Sequence, residues 1–353
     1  MVLAFFRKVN ALLRKELLET KRNVLVVLII LLLPIIFGVM LSTINEVVPI
    51  STPVLIVPAN ENVTKKDMVF VSSIISKISD PRVEYNKEEG IRQLLREEVY
   101  FVIEIPPDFR SGIGTVIVYV DSSMTPVSEA SDYIVRSVRT EFRSWGSTIV
   151  IKLEKIGEKR HPFEYFLPGI ILMLICIIGL IIIPISTTKD KRVFNRILTD
   201  TSIITMLSGK LIFALILIIT QILILNGTQI LLEAPAYINL LSFCVIIITT
   251  ISITSIGLFV NFMTRFSDAG KYINTIFLCG IMIFSGAFYP VRFMPDLLQR
   301  VAESFPLYQS VVLIRCFTLK GVELDIVTDY LLIILGFMLI SIVLMLISTK
   351  RIK

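Results

Sequence analysis

The residue types that carry catalysis are scarce in this sequence, and their spacing rules most reactions out. The 353 residues hold one histidine, His161, followed by Pro162. An H-E-x-x-H zinc site needs two imidazoles one helical turn apart, and a Ser-His-Asp relay needs a histidine oriented by an acid. His161 supplies neither and reads as a surface residue. The nearest approach to a phosphate-cradling G-x-x-x-x-G-K-[ST] loop is Ser208-Gly209-Lys210-Leu211. It lacks the first glycine at the right spacing and the closing Ser or Thr, so no Walker motif is present and no cofactor is expected on the chain itself. Cys176, Cys244, Cys279 and Cys316 show no C-x-x-C spacing, and three of them lie in apolar runs, where cysteine packs as a small hydrophobe. Asn62-Val63-Thr64 fits a glycosylation acceptor, a pattern too short to be specific. An enzyme embedded in a membrane is therefore the least supported reading.

The rest of the chain explains the missing chemistry. Hydrophobic residues make up 54% and the mean hydropathy is +0.80, far above soluble domains. Windows free of Asp, Glu, Lys, Arg and His, and long enough for the roughly 20 residues a bilayer demands, occur at 24–44, 166–188, 211–232, 239–263, 272–291 and 330–349. Six spans are expected. The first is longer than a signal's apolar region and lacks an A-x-A site, so it reads as an anchor. Proton relays and ion-coupled carriers place ionisable residues at mid-membrane; here energy for movement would have to enter through the cytoplasmic face. Segments 1–23, 189–210, 265–271 and 350–353 carry 16 basic against 5 acidic residues, whereas the remainder is net negative. The positive-inside rule then puts these segments and both termini in the cytoplasm of a multi-pass plasma-membrane protein. That rule accounts for the basic balance, and no nucleic-acid partner is implied.

Residues 1–23 repeat Phe5, Val9, Leu12, Leu13 and Leu17 among arginines and lysines, the mark of a basic amphipathic helix lying on membrane lipid or docking on a partner. Residues 45–164 form a polar insert with 15 basic and 18 acidic residues, long enough for its own core. Short β-branched runs at 53–58, 100–105 and 115–120 alternate with helical patterns at 65–79, 87–98 and 127–155, which argues an α/β or α+β extracytoplasmic domain. In the segment that opens with Lys189, the basic residues sit among Val193, Phe194, Ile197 and Leu198, giving either a short amphipathic helix or a solvated basic loop. Thr220, Gln221, Asn226, Thr249, Thr250, Ser252, Thr254, Ser255 and Asn261 are expected to bond between helices or line a path.

The stretch 280–315 is unlike any other. Pro290, Pro295 and Pro306 cut it into pieces of about ten residues, each ~15 Å long and too short to cross a bilayer. It closes on Arg315 inside an apolar segment. Between the fifth and sixth spans, this reads as a re-entrant helical hairpin, 292–320, on the outer face.

The set Phe284-Ser285-Gly286-Ala287-Phe288-Tyr289-Pro290, Met294-Pro295, Phe305-Pro306-Leu307 and Arg315 resembles the S-G-x-x-[FY]-P, x-P, x-P-L and terminal arginine of type-2 permeases of ATP-binding-cassette exporters. Phe166-Leu167-Pro168-Gly169 is similar to that family's L-P-G opening of span two. Val102 to Phe109 and Val120-Asp121-Ser122-Ser123 look like signatures of the branch with a large extracytoplasmic insert. Where the family shows E-R-E-x-G-T, this chain has Lys189-Asp190-Lys191-Arg192-Val193-Phe194. The resemblance implies a homodimeric or heterodimeric permease subunit that lacks its own ATPase motif and moves a substrate outward with ATP hydrolysed by separate ATPase subunits. It implies ATPase coupling through Arg14, Lys15, Lys189, Asp190, Lys191, Arg192 and Arg196, and an outer gate at Ser285, Gly286, Tyr289, Pro290, Pro295, Pro306 and Arg315. A membrane-anchored binding or sensing module acting through 45–164 is the alternative.

Overall fold

A computed structural model of the chain describes residues 53–107, 109–112, 114–144, 149–160, 162–189, 203–231 and 238–351. The amphipathic segment 1–23, the window 24–44 and His161 lie outside the described residues.

The insert is a five-stranded sheet with helices on both faces. Strands β1 (Pro53–Pro58), β2 (Asp80–Val83), β3 (Phe101–Ile105), β4 (Thr115–Asp121) and β5 (Val150–Ile156) lie in the order β2-β1-β3-β4-β5. β1 pairs in parallel with both neighbours, β4 runs antiparallel to β3, and β5 is parallel to β4. Because side chains alternate across a strand, Val54 and Ile56 face one layer and Leu55 and Val57 the other. The first layer holds Met68 and Val71 of α1 (Lys65–Ile75) with Ile134 and Val138 of α3 (Thr125–Ser144). The second holds Leu94 of α2 (Lys87–Leu95) with Val102. A central strand buried on both faces reads as an unbroken apolar run, and PVLIVP is one.

Two strands depart from the sequence expectation. The helix expected over 127–155 stops at Ser144, and Val150–Ile156 is a strand. Its lysines and glutamate hide the alternation because β5 is the sheet edge, where charged side chains are common. β2 was masked by Pro81, which an edge strand tolerates. Helix α1 starts at Thr64, whose hydroxyl accepts from the Asp67 backbone N–H while the Asp67 carboxylate accepts from the Thr64 N–H at 2.9 Å. Thr64→Ala should cost about 1 kcal/mol of stability, read as a lower melting point of the detergent-solubilised protein.

The helical body contains α4 (Pro162–Cys176), a π-helical turn (Ile177–Ile182), α5 (Ile183–Lys189), α6 (Ile203–Leu231), α7 (Leu240–Met263), α8 (Asp268–Phe284), α9 (Asp296–Glu303), α10 (Pro306–Arg315) and α11 (Thr328–Ser348). Four helical stretches among the described residues, Glu164–Lys189, Ile203–Asn226, Leu240–Met263 and Leu324–Arg351, are long and apolar enough to cross a membrane. The window 272–291 is helical only to Phe284: Ser285 caps α8 and Gly286 turns the chain at φ 67°, short of the extended residue that Pro290 requires before it. The segment 189–210 is not all loop, since Lys189 closes α5 and residues 203–210 are the first turns of α6.

Four of the nine polar residues singled out in these helices serve their own backbone, and the Thr254 and Ser255 hydroxyls are buried without a hydrogen-bond partner among the described residues. Thr220, Thr249, Thr250 and Ser252 donate to carbonyls one turn earlier at 2.7–2.8 Å, the nearest acceptors for a short hydroxyl. Asn261 does bridge helices: its amide donates to the Pro184 carbonyl at 3.0 Å, and its oxygen accepts from Thr188 at 3.1 Å. Near that bridge, α7 and the π-helical turn touch backbone to backbone. A Cβ at Gly257 would overlap the Gly179 carbonyl oxygen, and one at Gly179 would lie 2.8 Å from the Thr254 nitrogen.

Candidate functional site

The three prolines of 280–315 do what their chemistry dictates. Pro295 precedes the first residue of α9 and Pro306 is the first residue of α10, a position where the missing N–H costs nothing. Pro290 is buried and leads into a single helical turn, Val291–Phe293. The result is two short helices, eight and ten residues, folded against the body. α10 continues through a π-helical turn, Cys316–Lys320, and stops at Gly321 with φ 62°.

Arg315 is 1% exposed, and two of its three guanidinium nitrogens are hydrogen-bonded. One guanidinium nitrogen donates to the Gly286 carbonyl at 2.6 Å and to the Ala287 carbonyl at 3.2 Å; the other donates to a Glu97 carboxylate oxygen at 3.0 Å. Its flat face lies 4.5 Å from the centre of the Tyr165 ring. The second Glu97 oxygen meets the Lys320 ammonium at 3.1 Å, and Lys320 also reaches Asp121 at 2.9 Å and the Leu95 carbonyl at 2.9 Å. Asp121 in turn accepts from the Ser123 backbone N–H and hydroxyl. Two cations and two carboxylates, none more than 3% exposed, thus close into a neutral cluster. Neutrality is what makes the burial tolerable, because an unpaired charge in a low-dielectric interior costs several kcal/mol.

The acids come from the sheet domain and the bases from the helical body. Glu97 follows α2 in a left-handed backbone conformation, φ 63°, which turns the loop 95–99 down into the body. Around it, Tyr308 donates to the Glu97 carbonyl at 3.2 Å, Arg96 donates to the Ile326 carbonyl, and Tyr330 donates to Glu98 at 3.1 Å. Arg292 pairs with Glu303, and its backbone N–H donates to the Tyr100 hydroxyl at 3.2 Å. Burial pushes that hydroxyl well above the ordinary phenol range, so it stays protonated. Tyr165 and Phe293 of the body complete the first core layer of the domain. A separate pair on the other layer, Lys87 and Glu104 at 2.7 Å, raises the Lys87 ammonium above the ordinary lysine range through that contact.

The expected gate residues divide into two groups. Gly286 and Arg315 are brought into direct contact, with buried Ser285 beside Gly286; Tyr289 stands edge-on to Phe293 at 6.2 Å; Pro290, Pro295 and Pro306 shape the backbone only. Gly286 has a second reason to be glycine, since a Cβ there would lie 2.8 Å from Val291. Gly169 of the L-P-G opening also earns its place, because a Cβ would come 2.5 Å from the Ala287 carbonyl oxygen. Of the expected coupling residues, Lys189 is exposed at the end of α5; Arg14, Lys15, Asp190, Lys191, Arg192 and Arg196 lie outside the described residues. Lys210 donates to the Ser186 hydroxyl at 2.9 Å, tying α6 to α5.

Sequence reasoning missed Glu97, Lys320 and Arg292. Asp121 carried a local signal, the V-D-S-S run; Glu97 carried none, being 218 residues from its partner. The cluster offers no nucleophile with a base beside it, and each cation is held by an acid. What it does is fasten. The sequence matches the family described as ABC-2 family transporter protein over residues 24–349. No curated protein and no solved structure matches.

Proposed function

Since the chain belongs to the ABC-2 transporter family, we propose that it is the membrane subunit of an exporter that moves its substrate outward with ATP hydrolysed by separate ATPase subunits. The carrying observation is the family match, which spans both the sheet domain and the helical body. Membership makes the chain a multi-pass transport component. The finer reading adds the window 24–44 and α8 to the four long helices, for six spans in a plasma membrane with both termini cytoplasmic. The charge asymmetry of segments 1–23, 189–210, 265–271 and 350–353 supports it. The sheet domain and the pair α9–α10 then lie on the outer side, where the turn at Gly286 and the Arg315 contacts form the outer gate of a dimer. ATP binds the partner, and this chain holds no cofactor.

Purifying the full chain from its native membrane in mild detergent should recover an ATPase with a Walker motif. A monodisperse complex without one would overturn the reading. Coupling is assigned to Arg14, Lys15 and the segment that includes Lys189, Asp190, Lys191, Arg192 and Arg196. Reversing Arg192 and Arg196 to glutamate should lower the co-purified ATPase about tenfold, while the amount of inserted chain stays constant. Unchanged co-purification would show that this segment is a solvated loop.

A further inference from the structure

Where the sheet domain meets the helical body there is a cavity of about 740 Å³, within the usual size range of small-molecule sites. Asp121 and Lys320 of the buried cluster form its polar floor, and the rim carries charges of both signs, Arg160, Glu158 and Glu323. Lys320 donates to the Leu95 carbonyl and lies in ion-pair contact with Glu97 and Asp121, so the floor's charges are neutralised within it; the rim charges are the more exposed ones. Arg160 meets Glu158 at 3.4 Å and Glu164 at 3.8 Å, and Glu158 is 81% exposed. A pair open to solvent on one side, as Arg160–Glu158 is, contributes little to stability and is readily traded for a ligand's charges, while the Arg160 Nε stays on the Leu319 carbonyl at 3.2 Å.

A second hollow, about 360 Å³, runs between α6 and α7 at their ends nearest the domain. Ile219, Ile222, Leu223 and Phe243 make it apolar, and Leu223 and Leu240 are largely exposed. Its polar member Asn226 has a buried side-chain oxygen with no hydrogen-bond partner. Asn239 lines both hollows, its amide donating to the Phe317 carbonyl at 3.0 Å and its oxygen capping α7. A chamber with mixed charges therefore adjoins an apolar groove cut into helices long enough to cross a membrane.

We propose that this composite site holds a zwitterionic glycerophospholipid. Arg160 receives the phosphate, Glu158 and Glu323 face the ammonium, and an acyl chain lies along Leu223 and Phe243. The occupant sits beside the Lys320 cluster and wedges the base of the sheet domain against α7. This needs only that the chain lies in a membrane, not that it exports.

The test is native mass spectrometry of the full chain, delipidated in detergent and titrated with phosphatidylethanolamine or, as control, phosphatidylglycerol. About one phosphatidylethanolamine should stay bound per chain, and Leu223→Trp, which fills the groove at an exposed position, should reduce that occupancy about tenfold or more. Leu240→Trp serves as a second groove-filling variant, and an unchanged melting point confirms that either is folded. Glu323→Lys should shift preference toward phosphatidylglycerol. Equal retention by the groove-filled and unaltered proteins, or a broad distribution of bound lipids with no headgroup preference, would overturn the proposal and leave annular lipid only.

Discussion

Glu97→Gln should destabilise the protein by about 3–5 kcal/mol, the usual cost of removing one partner from a buried ion pair. Among the described residues, Glu97 is the only carboxylate shared by Arg315 and Lys320, and without it the cluster keeps two cations against Asp121. The measurement is unfolding in mixed detergent micelles, followed by loss of the tertiary signal. The double variant Glu97→Gln/Arg315→Gln isolates the cause. It restores neutrality and leaves Lys320 on Asp121 at 2.9 Å, so it should recover about half of the loss or more, and the pair should be strongly non-additive. A loss below about 1 kcal/mol in the single variant would mean that water reaches the cluster and screens it. The effect matters beyond stability, because the same carboxylate seats the sheet domain on the helix pair that carries Arg315. Domain and hairpin cannot separate without exposing or orphaning four charges.

The second large effect is expected at a position with no charge at all. Gly257→Ala should destabilise by about 3 kcal/mol, toward the upper end for overpacking, because the added methyl meets backbone that cannot rotate away. The obstacle is the Gly179 carbonyl, in the π-helical turn between α4 and α5, and Pro184 stands 3.1 Å from the same methyl. Helices approach this closely only where both lack a side chain, the small-residue packing that substitutes for a hydrophobic driving force inside lipid. Gly336→Ala is the matched control: it lies in α11 with open space around its Cβ and should be neutral or stabilising by up to about 1 kcal/mol. Both are read by the same micelle unfolding. Equal behaviour of the two variants would show that α7 and the π-helical turn slide apart at little cost.

Much of this was legible in the sequence, for local reasons. The apolar windows 166–188, 211–232, 239–263 and 330–349 each fall on a long apolar helix, because length and apolarity are properties of the segment itself. The strands at 53–58, 101–105 and 115–121 were visible as β-branched runs bounded by turn residues, since burial on both faces forces continuous apolarity. Edge strands β2 and β5 were not, because half of their surface meets water and their proline, lysines and glutamate imitate loop or helix. The prolines of 280–315 fixed two short helices by removing backbone donors, a covalent fact that no packing could reverse.

The sequence by itself determined what kind of chain this is: apolar helices, an α/β insert, two helices delimited by proline, and a set of marks that placed it in its family. It also placed an arginine where an apolar helix had no reason to carry one. Only the tertiary structure decided what that arginine is for. Its partner Glu97 is 218 residues away and comes from a loop whose left-handed turn aims it into the body. No periodicity encodes such a pair, because periodicity reports which face of an element is buried, whereas the match of two buried charges exists only once two separately folded surfaces are pressed together.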